Sequence, residues 1–255
     1  MAAVKVSLIT ASSAGLGAAI AKRLAAANYN VAINYHSSPS KAEAVLEEME
    51  DSIGHSSTNP SGRFLAVQAD ISSVTEIRRL VDEVVSRFGR LDVVVSNGGW
   101  TRITNFTNLD DNIDEADWDR CWNMNVKSHL ILLHAATKHL GEQDGAFVTI
   151  ASVAGVKPSG SSVPYAVTKA AQIYLVKCLA GIVSPRVRVN SISPGILMTD
   201  WGRQFSAERL QIAQQKSSLK RFATVEACIH CVQAVAENKS MTGINSVLDA
   251  GFLLG

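Results

Sequence analysis

Four cysteines in 255 residues are too few for a disulfide framework. Only Cys228 and Cys231 stand close together, as a C-x-x-C around His230, with Cys121 and Cys178 far off. A zinc site would need further ligands at similar spacing, and none stand nearby. Reduced thiols packed in the interior, and no metal, are therefore expected. Charge is also sparse: 24 Lys and Arg against 23 Asp and Glu leave a formal net charge of +1. That balance, with no basic run, excludes an electrostatic footprint for nucleic acid or an anionic membrane. No apolar run approaches the ~20 residues that span a bilayer. No charged leader precedes an apolar stretch at the N-terminus, and the closing Gly-Phe-Leu-Leu-Gly matches no common address signal. The expected location is cytoplasmic. Repeats and linkers are missing too, so one domain over residues 1–255 is expected.

What is present is a 47% hydrophobic chain in which short apolar strands alternate with amphipathic helices. The strands read as Val4–Thr10, Val31–Tyr35, Phe64–Ala69, Leu91–Ser96, Ala146–Ala151, Val187–Ile192 and Asn245–Leu248. Helices are expected over Gly15–Asn28, Ser40–Glu50, Val74–Phe88, Trp118–Leu140, Pro164–Ile182 and Val225–Glu237, and Asp51–Gly62 reads as a polar surface loop. Such alternation demands parallel strands joined by right-handed crossovers. Strands that are apolar throughout belong to a sheet covered on both faces. The expected fold is α/β, a doubly wound (Rossmann) three-layer sandwich with a seven-stranded parallel sheet.

Two constellations carry chemistry. The first strand ends in Thr10-Ala11-Ser12-Ser13-Ala14-Gly15-Leu16-Gly17, and a helix follows. Glycines there let the backbone approach a pyrophosphate, and the helix N-terminus receives its charge. Alone, this is a weak signal, since small residues are common in any strand-to-helix turn. The second is Tyr165-Ala166-Val167-Thr168-Lys169, which puts Tyr165 and Lys169 on one helical face. An ammonium beside a phenol favours the phenolate and lowers a pKa that is otherwise about 10. Ser152 ends the fifth strand, thirteen residues earlier, at the sheet edge where open α/β folds bind ligands.

Together these residues resemble the short-chain dehydrogenase/reductase family over essentially the whole chain. Within it the chain is most similar to NADPH-dependent ketoreductases of the ketoacyl-carrier-protein and fungal polyhydroxynaphthalene type. The resemblance implies Asn125, Ser152, Tyr165 and Lys169 as the catalytic set. It implies cofactor contacts at Ser12, Ser13, Gly15, Leu16 and Gly17 in the first turn, and at Tyr35, His36, Ser37 and Ser38 after the second strand. Further contacts are implied at Asp70 and Ile71, at Asn97, Gly98 and Gly99, at Tyr165 and Lys169, and at Pro194, Gly195, Leu197 and Thr199. Three departures stand out. Ala11 replaces a glycine, Ser96 and Gly98 replace Asn and Ala, and the stretch from Gly99 to Trp118 is long.

The cofactor implied is NADP(H). NAD enzymes of the family place an acid at the end of the second strand. This chain has Tyr35 there, followed by His36, Ser37 and Ser38, groups that suit a phosphate. The expected function is hydride transfer between NADP(H) and a carbonyl or secondary alcohol, with Tyr165 as general acid/base. A non-redox nucleotide-binding protein, or an isomerase or cyclase on the same fold, is the alternative. Partners implied are a small-molecule substrate and further copies of the chain, as a homotetramer or homodimer. Trp100 and Trp201 are candidates for pocket walls, whereas Trp118 and Trp122, one turn apart, read as core. The acidic run Asp110, Asp111, Asp114, Glu115 and Asp117 suits a solvated loop and a helix N-terminus.

Overall fold

The computed structural model describes residues 3–53 and 62–255. Seven strands form one sheet: β1 Val6–Ile9, β2 Asn30–Tyr35, β3 Phe64–Gln68, β4 Val93–Ser96, β5 Ala146–Ile150, β6 Arg188–Pro194 and β7 Asn245–Leu248. The order is β3-β2-β1-β4-β5-β6-β7 and every pairing is parallel. The chain reverses direction across the sheet between β1 and β4, the switch point at which open α/β sheets form a crevice.

Helices α1 Gly15–Ala26, α2 Pro39–Ile53 and α3 Val74–Phe88 follow the first three strands. Helix α4, Glu115–Trp122, runs through a π-helical turn, Asn123–Lys127, into α5, Ser128–Gly141. Helix α6 is Val163–Val183, α7 is Ala207–Lys216 and α8 is Val225–Glu237. Alternation of side chains along the strands separates two cores. Val6, Leu8, Val94, Phe147 and Val189 face α3, α5 and α6. Ile9, Val31, Ile33, Val95, Val148 and Ile192 face α1, α2 and α8. Each such Val, Leu, Ile or Phe contributes roughly 1.5–3 kcal/mol on burial, so both faces of the sheet anchor its upper edge.

The differences from the sequence expectations have local causes. Helix α2 continues to Ile53, so the start of the expected Asp51–Gly62 loop is helical, and 54–61 lies outside the described residues. The long helix starts three residues early because Asp114 caps it, accepting from the Ala116 N–H, with Glu115 and Asp117 in its first turn. Trp118 is anchored through its indole N–H to Asn112 O, but Trp122 is 45% exposed and is not core. Helix α7 was not expected; few of its side chains are apolar, and none is buried. The four cysteines are free; Cys121 and Cys228 are buried, Cys231 is half-buried and Cys178 is exposed. Helix α6 has 21 residues and enough apolar character to cross a membrane by length and composition. It instead lies on the sheet through Val176, Leu179 and Ala180.

Candidate active site

The C-terminal ends of β1, β4, β5 and β6 open into a cleft of about 670 Å³. Its first wall is the turn from β1 to α1. Thr10 Oγ1 accepts from the N–H groups of Asn97 and Gly98, and Asn97 Nδ2 donates to Thr10 O and Ala11 O, which locks two loops together. Asn34 Oδ1 accepts from Ala11 N–H while its amide donates to Val67 O and Ala69 O, so β2 carries a bracket for the same turn. The bracing role of Asn34 was not legible in the sequence, because it depends on three strands meeting.

The glycines are required where they stand. Gly15 has φ +58°, and a Cβ on Gly17 would lie 2.6 Å from Ala11 O and 2.7 Å from Asn97 Nδ2. Ala11 takes φ +49°, so the alanine keeps the backbone path its position needs. Helix α1 has no side-chain cap at Ala14, in contrast to Ser73, Ser162, Ser206 and Thr224 on α3, α6, α7 and α8. Its first N–H groups therefore remain free to meet an anion. A would-be Cβ on Gly98 lies 2.0 Å from Ile71 Cδ1, which accounts for one departure: Ile71 fills the space of a methyl group at 98.

Gly15, Leu16, Asn97, Gly98, Gly99, Pro194, Gly195, Leu197 and Thr199 all line the cleft. Ser12 does not: it is fully buried, donates its hydroxyl to Ile9 O and accepts from Asn34 N–H, so it shapes the turn from beneath. Gly17 is buried behind the turn and Ser13 half-buried beside it. Tyr35 is half-buried at the end of β2; His36 and Ser37 are exposed and Ser38 is half-buried just before α2. Asp70 accepts from Ser72 N–H at 2.8 Å. Burial alone would raise its carboxyl pKa, but hydrogen bonds from Ser72 and the charges of His36 and Arg120 bring it below the ordinary value. The sequence reading missed Lys41, which reaches the cleft from the first turn of α2.

The second wall carries Ser152, Tyr165 and Lys169, which line the same cleft. Ser162 caps α6 by accepting from Tyr165 N–H, which fixes the turn that presents the phenol. Ser152 Oγ accepts from Ala154 N–H at 3.1 Å, leaving its own proton to donate. Lys169 is buried; its Nζ lies 5.6 Å from the Tyr165 ring centroid and donates to Ile150 O and Gln172 Oε1, both at 2.9 Å. Burial pushes the Tyr165 phenol up to about 12, against a smaller lowering by the Ser152 hydroxyl. Burial also drives the Lys169 ammonium down to about 7. The expected lowering of the Tyr165 pKa by Lys169 thus does not hold in this state. Both groups sit in low dielectric and are driven toward neutrality, and Nζ is drawn to a carbonyl and an amide. Gln172, at i+3 from Lys169, was also missed.

Asn125 is fully buried in the π-helical turn. Its Oδ1 accepts from Trp100 N–H at 2.8 Å, and its Nδ2 donates to Trp100 O and Thr168 Oγ1. It ties the β4 loop to α6 rather than reaching Lys169 directly. One turn on, His129 is buried with its Nδ1 2.6 Å from Ser96 Oγ, and burial holds its imidazole well below the usual pKa. Ser96 thus departs from asparagine together with a histidine that pairs with it.

The whole arrangement can do two things. A glycine-lined turn with an open helix terminus accepts a dinucleotide, and a serine and a tyrosine hydroxyl converge beside a buried lysine. The short chain dehydrogenase family model matches residues 5–210. The chain belongs to the short-chain dehydrogenase family, a class of oxidoreductases. It is 34% identical over 238 residues to the 3-oxoacyl-[acyl-carrier-protein] reductase FabG of Staphylococcus aureus, covering 92% of both chains. Among solved structures, it matches a short chain dehydrogenase of Burkholderia cenocepacia in complex with NADP, with TM-score 0.87, 32% identity and 98% of each chain covered. It also matches a 7α-hydroxysteroid dehydrogenase complexed with NADH and 7-oxo glycochenodeoxycholic acid, with TM-score 0.87, 25% identity, and 98% and 94% coverage.

Proposed function

We propose that this chain is an NADP(H)-dependent ketoreductase, folded as one nucleotide-binding domain over residues 1–255 and working in the cytoplasm. The observation that carries the reading is the convergence of Ser152, Tyr165 and Lys169 on the cleft that the Gly15–Leu16 turn and the Asn97–Gly99 loop also line. The nicotinamide, held between those loops and Pro194–Thr199, would supply or accept the hydride. The chain's own residues handle the oxygen. Ser152 donates a hydrogen bond to the substrate oxygen and Tyr165 gives it the phenolic proton in reduction. A phenol with a pKa near 12 is fully protonated at neutrality, which suits the acid role. Lys169, whose Nζ lies 5.6 Å from the Tyr165 ring centroid, would hold a ribose hydroxyl of the cofactor. Asn125 holds the Trp100 backbone so that the loop keeps its place.

Preference for NADP over NAD rests on Tyr35, where an acid would repel a 2′-phosphate, and on Lys41, a cation in the first turn of α2 that lines the cleft. The test is NAD(P)H oxidation with a ketone panel. Tyr165→Phe should lower kcat by 10²-fold or more, within the usual range for acid–base catalysis. Retention of a tenth of the wild-type kcat would show that another group supplies the proton. Wild type should show a higher kcat/KM with NADPH, and Tyr35→Asp should move the preference toward NADH. Equal values for both cofactors in the wild type would remove the NADP assignment while leaving the reductase reading intact.

A further inference from the structure

The long stretch from Gly99 to Trp118 is organised around a polar side chain rather than an apolar one. Asn112, at the end of the short 3-10 turn Asp110–Asn112, is 4% exposed, whereas Leu109 and Ile113 beside it are 76% and 61% exposed. The amide is inside and the large apolar groups face water, the reverse of the usual order. An amide stays buried at low cost only when its polar atoms are paired. All of them are. Nδ2 donates to Asn105 O at 2.9 Å and to Asn108 O at 2.7 Å, and Oδ1 accepts from Thr104 Oγ1 at 2.9 Å. Oδ1 also accepts, at 2.9 Å, from the N–H of Val163, 51 residues further on.

Val163 opens α6, the helix that presents Tyr165. The first N–H groups of a helix have no partner within it. In the first turn of α6 each is accounted for. Asn112 takes the Val163 N–H, Pro164 has none, and Ser162 Oγ takes the Tyr165 N–H. Ser162 is the ordinary local cap, and Asn112 is a second cap delivered from another part of the chain. The same loop grips the residues just ahead of the helix. Thr101 Oγ1 lies 2.7 Å from Ser161 Oγ, and Thr104 N–H donates to Ser161 O at 2.8 Å. At its start the loop leaves the Asn97–Gly99 turn and is tied through Trp100 to Asn125. It therefore bridges the cofactor turn and the start of α6. Asn112 itself does not line the cleft, so it can act on the reaction only through what it holds.

We infer that Asn112 is a positioning residue for Tyr165, a tertiary cap on α6 that fixes the phenol relative to the turn that would hold the nicotinamide. The inference rests on the reductase reading above and adds a residue to it. A general acid must stand within hydrogen-bond reach of the oxygen it protonates, and a misplacement of about 1 Å can cost about 10²-fold in rate. Helix ends fray when their free groups lose their partners, and Tyr165 stands in the turn that Asn112 closes.

Two variants separate the cap from the rest of the loop. Asn112→Asp keeps an acceptor for Val163 N–H and loses both donors to the loop. Asn112→Leu keeps the shape and loses acceptor and donors alike. Both are compared with wild type by NADPH oxidation with a ketone that wild type reduces, by fluorescence titration of NADPH, and by amide exchange over 160–168. Expected is a kcat lower by about tenfold in Asn112→Leu and by less than about threefold in Asn112→Asp, with the Kd for NADPH within about twofold of wild type in both. Exchange at 163–168 should quicken in the leucine variant alone. Added to Tyr165→Phe, Asn112→Leu should lower the residual rate by less than about twofold, because residues that act as a unit are not additive. An unchanged kcat in Asn112→Leu would overturn the inference. Equal losses in the two variants would overturn it as well, since the loop and not the cap would then matter. So would a full further loss on top of Tyr165→Phe, which would place the effect elsewhere. Should Asn112→Leu not fold, Asn112→Ser, one bond shorter, takes its place with the same outcomes. If wild type reduces no ketone, the reductase reading fails and exchange alone decides the cap. Quickening in the leucine but not the aspartate variant upholds it, and any other pattern sinks it.

Discussion

Ala11 shows how a single departure is absorbed. Its φ of +49° lies in the left-handed region, which costs an L-residue roughly 1–2 kcal/mol. The turn retains the conformation because Asn34 and Asn97 hold Ala11 from both sides. Ala11→Gly should therefore stabilise the protein by about 1 kcal/mol in urea titration, despite the greater freedom glycine brings to the unfolded chain. Lys169 is the opposite case, a residue whose placement opposes folding. Its pKa falls from 10.5 to about 7 on burial. Between pH 7 and 10.5 the unfolded chain holds the extra proton, so stability rises with pH across that window, and the cost is fully present below 7. Lys169→Met should abolish turnover yet raise the Tm at pH 7 by several degrees and flatten the rise between pH 7 and 10.5. A lower Tm in the variant would mean that the bonds to Ile150 O and Gln172 outweigh desolvation.

At the scale of elements, the site depends on segments with little core of their own. Helix α7 buries none of its side chains, and Arg209 ties it to the wall by reaching Gly160 O and, at 3.4 Å, Thr104 O. Loss of that link frees the segment that carries Trp201 and Phe205. Arg209→Met should raise KM for the ketone severalfold with a smaller change in kcat, and amide exchange over 200–216 should quicken while α6 keeps its protection. Unchanged exchange would show that the contacts with the C-terminal turn hold α7 without Arg209. The π-helical turn Asn123–Lys127 plays the complementary part. Such turns mark functional positions in otherwise regular helices, and this one carries Asn125.

At the scale of the whole molecule, α5 and α6 each turn one face to the sheet and leave apolar side chains outside. Leu130 is 39% exposed, Tyr174 67% and Ile182 74%. The sheet covers Leu133, Val176 and Leu179, and the outward side chains are Leu130, Val167, Tyr174 and Ile182. Large apolar side chains left exposed on two neighbouring helices suit an interface, and we propose that a second copy of the chain covers them. Ile182→Asp should convert the oligomer to a monomer in light scattering at micromolar concentration without loss of helical signal. A wild-type protein that is already monomeric there would remove the proposal.

The order of strands and helices was legible because short continuous apolar runs and the 3.6-residue period of amphipathic helices both show in a single stretch of chain. The Thr10–Gly17 turn and the Tyr165/Lys169 pair were legible for a similar reason: a turn and an i,i+4 spacing are local. Helix α7 was not, since few of its side chains are apolar and its position is fixed by contacts far away in sequence. Nor was the protonation of the site. One turn of helix places Tyr165 beside Lys169, but whether the ammonium lowers the phenol pKa depends on burial. Here Ile150 O and Gln172 draw Nζ, and desolvation sets the direction of the phenol's shift. The roles of Asn34, Ser12 and His129 were hidden likewise, because each takes its partner from a strand or turn distant along the chain. Sequence alone determined what recurs at short range; the tertiary structure decided which groups lose water together, and with them the electrostatics of the cleft.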